Sequence, residues 1–293
     1  MRRLLLGLLL LLPPPAWAGP VKVVATFSVL ADMVRAVGGD DVAVTALVGP
    51  DGDAHVFEPT PADARALAAA DLVVENGLGF EGWIGRLAKA ADYKGPLVVA
   101  TTGIVPRRME EDGHDVTDPH AWQDLSLGRI YVANIAEGLA KADAGHAERY
   151  RANAAAYNRR LAELDAWVRA ELAQVPEAKR RVITTHDAFG YFGHAYGVAF
   201  LAPEGVSTEA EVTGKALGAL VGQIRHTGVK ALFFENMTDP RLVEQLAREA
   251  GATVGGTLYV DALSPPGGPA PSYVDMFRHN VPALVAAMRR NRD

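Results

Sequence analysis

The run Val42-Ala43-Val44-Thr45-Ala46-Leu47-Val48-Gly49-Pro50-Asp51-Gly52-Asp53-Ala54-His55-Val56-Phe57-Glu58-Pro59-Thr60-Pro61 carries three signals in one short piece of chain. Its first seven residues alternate and are rich in β-branched side chains, which predicts a strand. Gly49 to Gly52 are turn formers, and Pro61 opens a helical pattern over 61–70. His55 therefore stands just past the carboxyl end of a strand, where open α/β sheets keep their ligand crevice. Alone, it would pass for an ordinary solvated loop histidine. The arrangement recurs, however. Asp118-Pro119-His120 follows a Gly-containing acidic connection, Thr184-Thr185-His186 ends an apolar run, and Tyr259-Val260-Asp261 ends the last one. Three histidines and a carboxylate, each at or beside a strand end, have the makeup of a first-row metal site.

Outward from that stretch the chain alternates strands with helices. Strands are predicted at 21–27, 42–48, 71–75 and 97–101, and helices at 28–38, 61–70 and 80–91. After Pro176 the alternation resumes, with strands at 181–185, 198–202, 231–235 and 253–260 and helices at 188–196, 213–227, 240–250 and 273–290. Such alternation indicates parallel sheets covered on both faces. Between the two series, 125–175 has helical period throughout except at Ala144-Gly145. The piece 147–175 is far longer than the dozen residues of an average helix, and reads as a stiff strut. The expected fold is α/β: two Rossmann-like (βα)4 lobes joined by one long rigid backbone helix, with a cleft between them. The expected boundaries are 1–18 for a signal peptide, 19–144 for the first lobe, 145–176 for the connecting helix and 177–293 for the second lobe. The charged segment 105–117 interrupts the pattern and is expected to be a mobile surface loop.

The first eighteen residues have the build of an export signal. Met1-Arg2-Arg3 is basic, Leu4 to Leu12 is apolar, and Ala16-Trp17-Ala18 is a small-x-small cleavage site. Cleavage after Ala18 would leave Gly19 first. It would also remove two arginines and no acid, moving the formal charge from −6 to −8. An acidic chain without a basic stripe argues against nucleic acid as a partner. The chain has no cysteine. It therefore has no disulfides and no thiol at the cleavage point to carry a lipid, so a freely soluble, unanchored periplasmic monomer is expected.

Zinc takes imidazole nitrogen and carboxylate oxygen in four-coordinate geometry without needing cysteine. Dozens of residues separate His55, His120, His186 and Asp261, which differs from a zinc finger and suits a site assembled by two preformed halves. The first half would supply His55 and His120, and the second His186 and Asp261.

These residues and their surroundings resemble the metal-specific solute-binding proteins of bacterial ABC importers for zinc and manganese. The likeness covers nearly the whole chain after the signal. It is carried by Gly52-Asp53-Ala54-His55-Val56-Phe57-Glu58-Pro59-Thr60-Pro61-Ala62-Asp63, Asn76-Gly77-Leu78-Gly79-Phe80-Glu81-Gly82-Trp83, Asp118-Pro119-His120-Ala121-Trp122, Thr185-His186-Asp187-Ala188-Phe189-Gly190-Tyr191-Phe192 and Leu258-Tyr259-Val260-Asp261. The resemblance implies two four-stranded domains on one backbone helix with a buried metal between them, and ligand roles for His55, His120, His186 and Asp261. It implies Zn2+ as transported ligand, with Mn2+ the alternative, because a histidine at the third position goes with zinc and a glutamate there with manganese. It also implies delivery to an ABC permease and its ATPase, with a periplasmic metallochaperone as a candidate loader. One departure stands out. Zinc members often carry a long histidine-rich loop before the second ligand, whereas this chain has only Met109-Glu110-Glu111-Asp112-Gly113-His114-Asp115, so no large zinc reservoir is expected.

Among other candidates, Glu58 is placed to orient His55 or to serve as a loop acid, and Asp187 to cap a helix. Trp83, Trp122, His146, His194, His226 and His279 read as packing or surface residues. Two other functions fit less well. A secreted zinc hydrolase, with Glu235 or Asp239 as base, lacks His-Glu-x-x-His, and Asp261 would close its open coordination position. A clamshell binder of a small organic ligand is the third reading, which equilibrium dialysis with metal analysis would separate from the others.

Overall fold

The computed structural model describes residues 19–111, 114–203, 205–208 and 214–292. The expected export signal, Asp112-Gly113 of the acidic segment and Thr213 of the predicted helix 213–227 lie outside the described residues.

Two four-stranded parallel sheets form the frame. The first contains β1 (Val21–Phe27), β2 (Val42–Val48), β3 (Leu72–Glu75) and β4 (Leu97–Val99), in the order β2-β1-β3-β4. A hairpin of β5 (Arg108–Glu111) and β6 (His114–Thr117) follows. The second sheet contains β7 (Arg181–Ile183), β8 (Ala199–Leu201), β9 (Ala231–Glu235) and β10 (Thr253–Leu258), in the order β10-β9-β7-β8. Counted from its own first strand, each sheet has the same order. The first strand lies between the second and third, so each has a crevice where the chain direction across the sheet reverses: β1 against β3, and β7 against β9. Central β1 is buried on both faces, with only Lys22 exposed, as a sheet covered by helices requires.

The covering helices are α1 (Ser28–Gly38), α2 (Pro61–Ala68), α3 (Ile84–Ala90) and α4 (Leu125–Ala142) in the first half, then α6 (Gly190–Tyr196), α7 (Gly214–Thr227), α8 (Arg241–Ala250) and α9 (Tyr273–Met288) in the second. α2 starts where the sequence says it should: Thr60 and Asp63 form a capping box, and Pro61 occupies the first turn. Between the halves runs α5 (Ala147–Leu172), which buries Tyr150, Ala154, Tyr157, Leu161, Leu164, Val168 and Leu172 along one stripe. α1, α4 and α9 all pack on it, so it belongs to one apolar core that runs continuously from β1 to α9. Among the described residues no helix is long and apolar enough to cross a membrane.

Three expectations change. The strut ends at Leu172 rather than at residue 175. Gln174 and Val175 donate to Glu171 and Leu172 in tight turns, and Pro176 keeps the residue before it out of the helical region. The helix expected over 80–91 begins only at Ile84, because Gly77, Leu78 and Gly79 all have positive φ and the chain is still turning. The segment 105–117 contains an antiparallel hairpin. Met109 faces Val116 as its one apolar pair, and the rest is polar, with Arg108 reaching diagonally to Asp115 at 2.6 Å, so no apolar alternation announced it.

Because Leu161 lies in the middle of the α5 stripe, Leu161→Ala is expected to cost about 3 kcal/mol through the cavity it leaves. Urea denaturation would show this as a lower midpoint, while metal affinity stays within about twofold, as for independent distant sites.

Candidate metal centre

Four loops leaving the carboxyl side of the structure converge on one point. His55 follows β2, His120 follows β6, His186 follows β7 and Asp261 follows β10. One ligand atom from each lies within 4.8 Å of all the others. His55 Nε2 is 3.3 Å from His120 Nε2 and 3.3 Å from Asp261 Oδ2. Asp261 Oδ2 is 3.2 Å from His186 Nε2 and 3.8 Å from His120 Nε2. A tetrahedral ion with bonds of about 2.0–2.1 Å has ligand–ligand edges of roughly 3.3–3.4 Å, which these four edges approach. Both Asp261 oxygens and His186 Nε2 are buried without a hydrogen-bond partner. Native structures rarely leave such groups orphaned unless an ion or water belongs there.

Partners on the far side of two imidazoles fix their tautomers. His120 Nδ1 donates to Asp118 Oδ1 at 2.9 Å, and the same oxygen accepts the His120 backbone N–H at 3.0 Å. His186 Nδ1 donates to Glu235 Oε2, while Glu235 Oε1 accepts the N–H groups of Thr185 and His186 at 3.0 and 3.1 Å. A carboxylate behind an imidazole puts the proton on Nδ1 and presents the Nε2 lone pair to a metal. Sequence reasoning missed both roles. The available signals were an acid two residues before His120, and an acid closing the apolar run Ala231-Leu232-Phe233-Phe234 with no basic neighbour. Glu58, in contrast, is exposed, and no hydrogen bond joins it to His55 among the described residues. Asp53 steadies that loop instead, accepting the His55 backbone N–H at 2.9 Å. Asp187 does not cap α6, which starts at Gly190 behind Phe189.

Asp261 is held by the opposite half of the molecule. The carbonyl of Val260 accepts from Trp122 Nε1 at 3.0 Å and Gln123 Nε2 at 3.2 Å. The Leu263 N–H donates to Ser28 Oγ at 2.9 Å, and its carbonyl accepts the Asp51 N–H at 3.0 Å. Trp83 and Trp122 are core residues, as expected. The remaining histidines stay outside the centre: His146 pairs with Asp143 at 2.5 Å, His279 contacts the Thr257 carbonyl at 3.0 Å, His114 and His226 are exposed, and His194 lines a separate pocket beside Arg107.

The electrostatics prepare the site for a cation. Burial opposes ionisation of Asp261, but the imidazoles of His120 and His186 outweigh it and hold the carboxyl well below the usual range. Burial likewise opposes charge on His120, yet Asp261 and Asp118 outweigh it and raise its pKa to about 9. His186 is raised well above its ordinary value because Glu235 and Asp261 overcome its burial. His55 goes the other way: burial lowers it, with help from His120 and His186 and against the pull of Asp261.

Comparison with known proteins now places this geometry. Residues 23–287 match the family described as "Zinc-uptake complex component A periplasmic". The chain belongs to this family. It is 31% identical over 273 residues to the iron-binding protein YfeA of Yersinia pestis, covering 93% of this chain and 88% of the relative. It is 34% identical over 276 residues to the manganese-binding lipoprotein MntA of Bacillus subtilis, covering 92% and 90%. The solved structure of the periplasmic zinc-binding protein TroA from Treponema pallidum superposes with a TM-score of 0.88 at 32% identity, covering 93% of this chain and all of that one. The family is made of extracytoplasmic substrate-binding components of ABC metal importers, so this chain is a metal-binding substrate-binding protein with a permease and an ATPase as partners.

Two predictions follow from the donor set. A metal requires neutral imidazoles, and His120 and His186 are both raised above their ordinary value without it, so binding expels protons. Affinity is therefore expected to rise with pH, by about tenfold per pH unit below about 9 from His120 alone and more steeply where His186 also gives up a proton. Chelator competition at pH 6.5, 7.5 and 8.5 would read this, and a flat profile would remove these imidazoles from the site. Asp118→Asn is expected to weaken metal by about 10–100-fold, as loss of an orienting partner does, measured by the same competition.

Proposed function

We propose that the protein captures Zn2+ as cargo through His55, His120, His186 and Asp261 and passes it to its importer's permease. The observation that carries this reading is the set of three Nε2 atoms around a buried carboxylate oxygen, all within 4.8 Å of one another and with four of the six edges between 3.2 and 3.8 Å. Imidazole-rich sets suit zinc better than manganese, and zinc stands well above manganese in intrinsic affinity for nitrogen donors. Residues 19–144 and 177–293 would then act as two lobes around the strut at 145–176. No cysteine is available to carry a thioether-linked lipid, so we take the carrier as free in the periplasm, although MntA is named a lipoprotein.

One observation favours a second cargo. Both oxygens of Asp261 lack hydrogen-bond partners, so the carboxylate is able to chelate with both and give five ligand atoms. That suits Mn2+ or Fe2+, which the relatives MntA and YfeA are named for binding. A hydrolytic role has less support. Glu235 spends its oxygens on His186 and two backbone N–H groups, and Asp239 is bound to Arg241 on the surface. Neither is available to activate a water.

Metal analysis after native purification, with zinc set against manganese in equilibrium dialysis, tests the cargo. One equivalent of zinc, retained against manganese excess, is the expected result; retention of manganese or iron would select the second reading. His186→Ala is expected to lose zinc affinity beyond the roughly 10–100-fold typical of an orienting partner. His114→Ala, whose side chain is exposed on the hairpin, is expected to leave it unchanged. Equal losses would move the site to the hairpin.

A further inference from the structure

The segment Asn76-Gly77-Leu78-Gly79-Phe80-Glu81-Gly82-Trp83 contains no ligand, yet it holds a buried carboxylate. Glu81 is 5% exposed, and among the described residues no lysine or arginine pairs with it. Its Oε1 accepts from Thr26 Oγ1 and from the Asn76 N–H, both at 2.6 Å. Its Oε2 accepts from the Gly77 N–H at 3.2 Å. Thr26 lies in β1 and Asn76 just after β3, so the carboxylate occupies the reversal crevice of the first sheet. Glu235 occupies the corresponding crevice of the second, where it accepts the N–H groups of Thr185 and His186 behind a ligand. The two halves thus use the same device, a carboxylate that gathers backbone N–H groups at the strand ends.

In the second half the device touches its ligand directly. In the first it works through one intermediary. Asn76 Nδ2 donates to the Pro119 carbonyl at 3.0 Å, the residue before His120, and Asn76 Oδ1 accepts from Tyr131 at 2.6 Å. Phe80, next to Glu81, sets its ring edge against His55, with centroids 4.8 Å apart, and lies 5.9 Å from His120. The loop between is hard to hold. Leu78 has φ of 57° between two glycines at +84° and +85°, a conformation that leucine rarely adopts.

Taking the four-residue metal centre as the site, we propose that Glu81 is the positioning residue of its first half, holding His120 through Asn76 and Pro119 and His55 through Phe80. Burial raises the Glu81 carboxyl to about 7 despite the hydrogen bonds from Thr26 and from the Asn76 and Gly77 backbones, with Glu75 adding to the rise. A carboxylate so poorly compensated is costly to keep for packing alone.

The test is a double-mutant cycle read by zinc affinity, using chelator competition on the full chain at pH 7.5. Glu81→Gln keeps the size but presents an amide N–H to donors that need an acceptor. It is expected to weaken zinc about tenfold in the wild-type background, at the low end for an orienting group. That loss is expected to shrink severalfold in a His120→Ala background, where only the route through Phe80 to His55 is left, and to persist in full in a His186→Ala background. A loss of the same size in both backgrounds would make Glu81 a general structural residue and overturn the proposal, as would no loss at all. If Glu81→Gln fails to fold, Asn76→Ala breaks the next link and carries the same pattern of expected and opposing outcomes. A wild-type protein that bound no zinc, manganese or iron would instead sink the metal centre itself.

Discussion

A fully buried carboxylate faces three imidazole nitrogens with neither of its oxygens hydrogen-bonded. Burying an isolated charge is prohibitive unless an opposite charge sits against it. Asp261 therefore requires positive charge at the convergence point, whether protons on imidazoles or a divalent ion. Much of the surrounding structure follows from holding that group in place. Its own strand, β10, belongs to the second sheet, but Trp122, Gln123, Ser28 and Asp51 of the first half grip the backbone on either side of it. The ligand that completes the site is thus in position only when the two halves are together.

Two further carboxylates, Asp118 and Glu235, stand behind His120 and His186. Together with Asp261 they favour positive charge on those imidazoles, so a cation entering the site takes over from protons a place that the surrounding acids already prepare for positive charge. Two of the three carboxylates do this from behind an imidazole. There they also fix the tautomer, so one group serves geometry and electrostatics at once.

The frame was legible in the chain because the physics that forms it is local. β1, β2 and β9 fall where β-branched and apolar residues concentrate, and α2 begins at its capping box. His55, His186 and Asp261 were legible because each follows a predicted strand, whereas His120, whose preceding strand β6 was not foreseen, stood out through Asp118-Pro119-His120 and the family resemblance. What escaped notice depended on tertiary contact. Nothing local distinguishes Glu235, which ends β9, from any acid at a strand end; only the fold sets it against His186 from another strand. Glu58 is one bend of the chain away from His55 and points to solvent, whereas Asp53, across the turn, makes the contact. The hairpin of β5 and β6 escaped because Met109 with Val116 is its one apolar pair and its other residues, such as Arg108 with Asp115, look in sequence the same as a charged loop.

Four side chains drawn from four separate loops also fit the carrier role of the family. Of the four, His55 lines a pocket together with Leu78, Phe80, Pro119 and Val206, while His120, His186 and Asp261 are fully buried. The cation leaves such a shell only by parting the loops that build it. The bonds between the halves that would have to yield include Thr208 to Asp53 at 2.6 Å, Asn236 to Asp51 at 2.8 Å, Leu263 to Ser28 at 2.9 Å, and those from Trp122 and Gln123 to the Val260 carbonyl at 3.0 and 3.2 Å. Separating them withdraws His186 and Asp261 from His55 and His120 together. Removing two ligands at once, including the only carboxylate ligand, drops affinity far more steeply than loosening any single bond. A site split evenly across two sheets is thus whole only while the halves are together, and α5, packed against α1 and α4 of one half and α9 of the other, is the element that joins them.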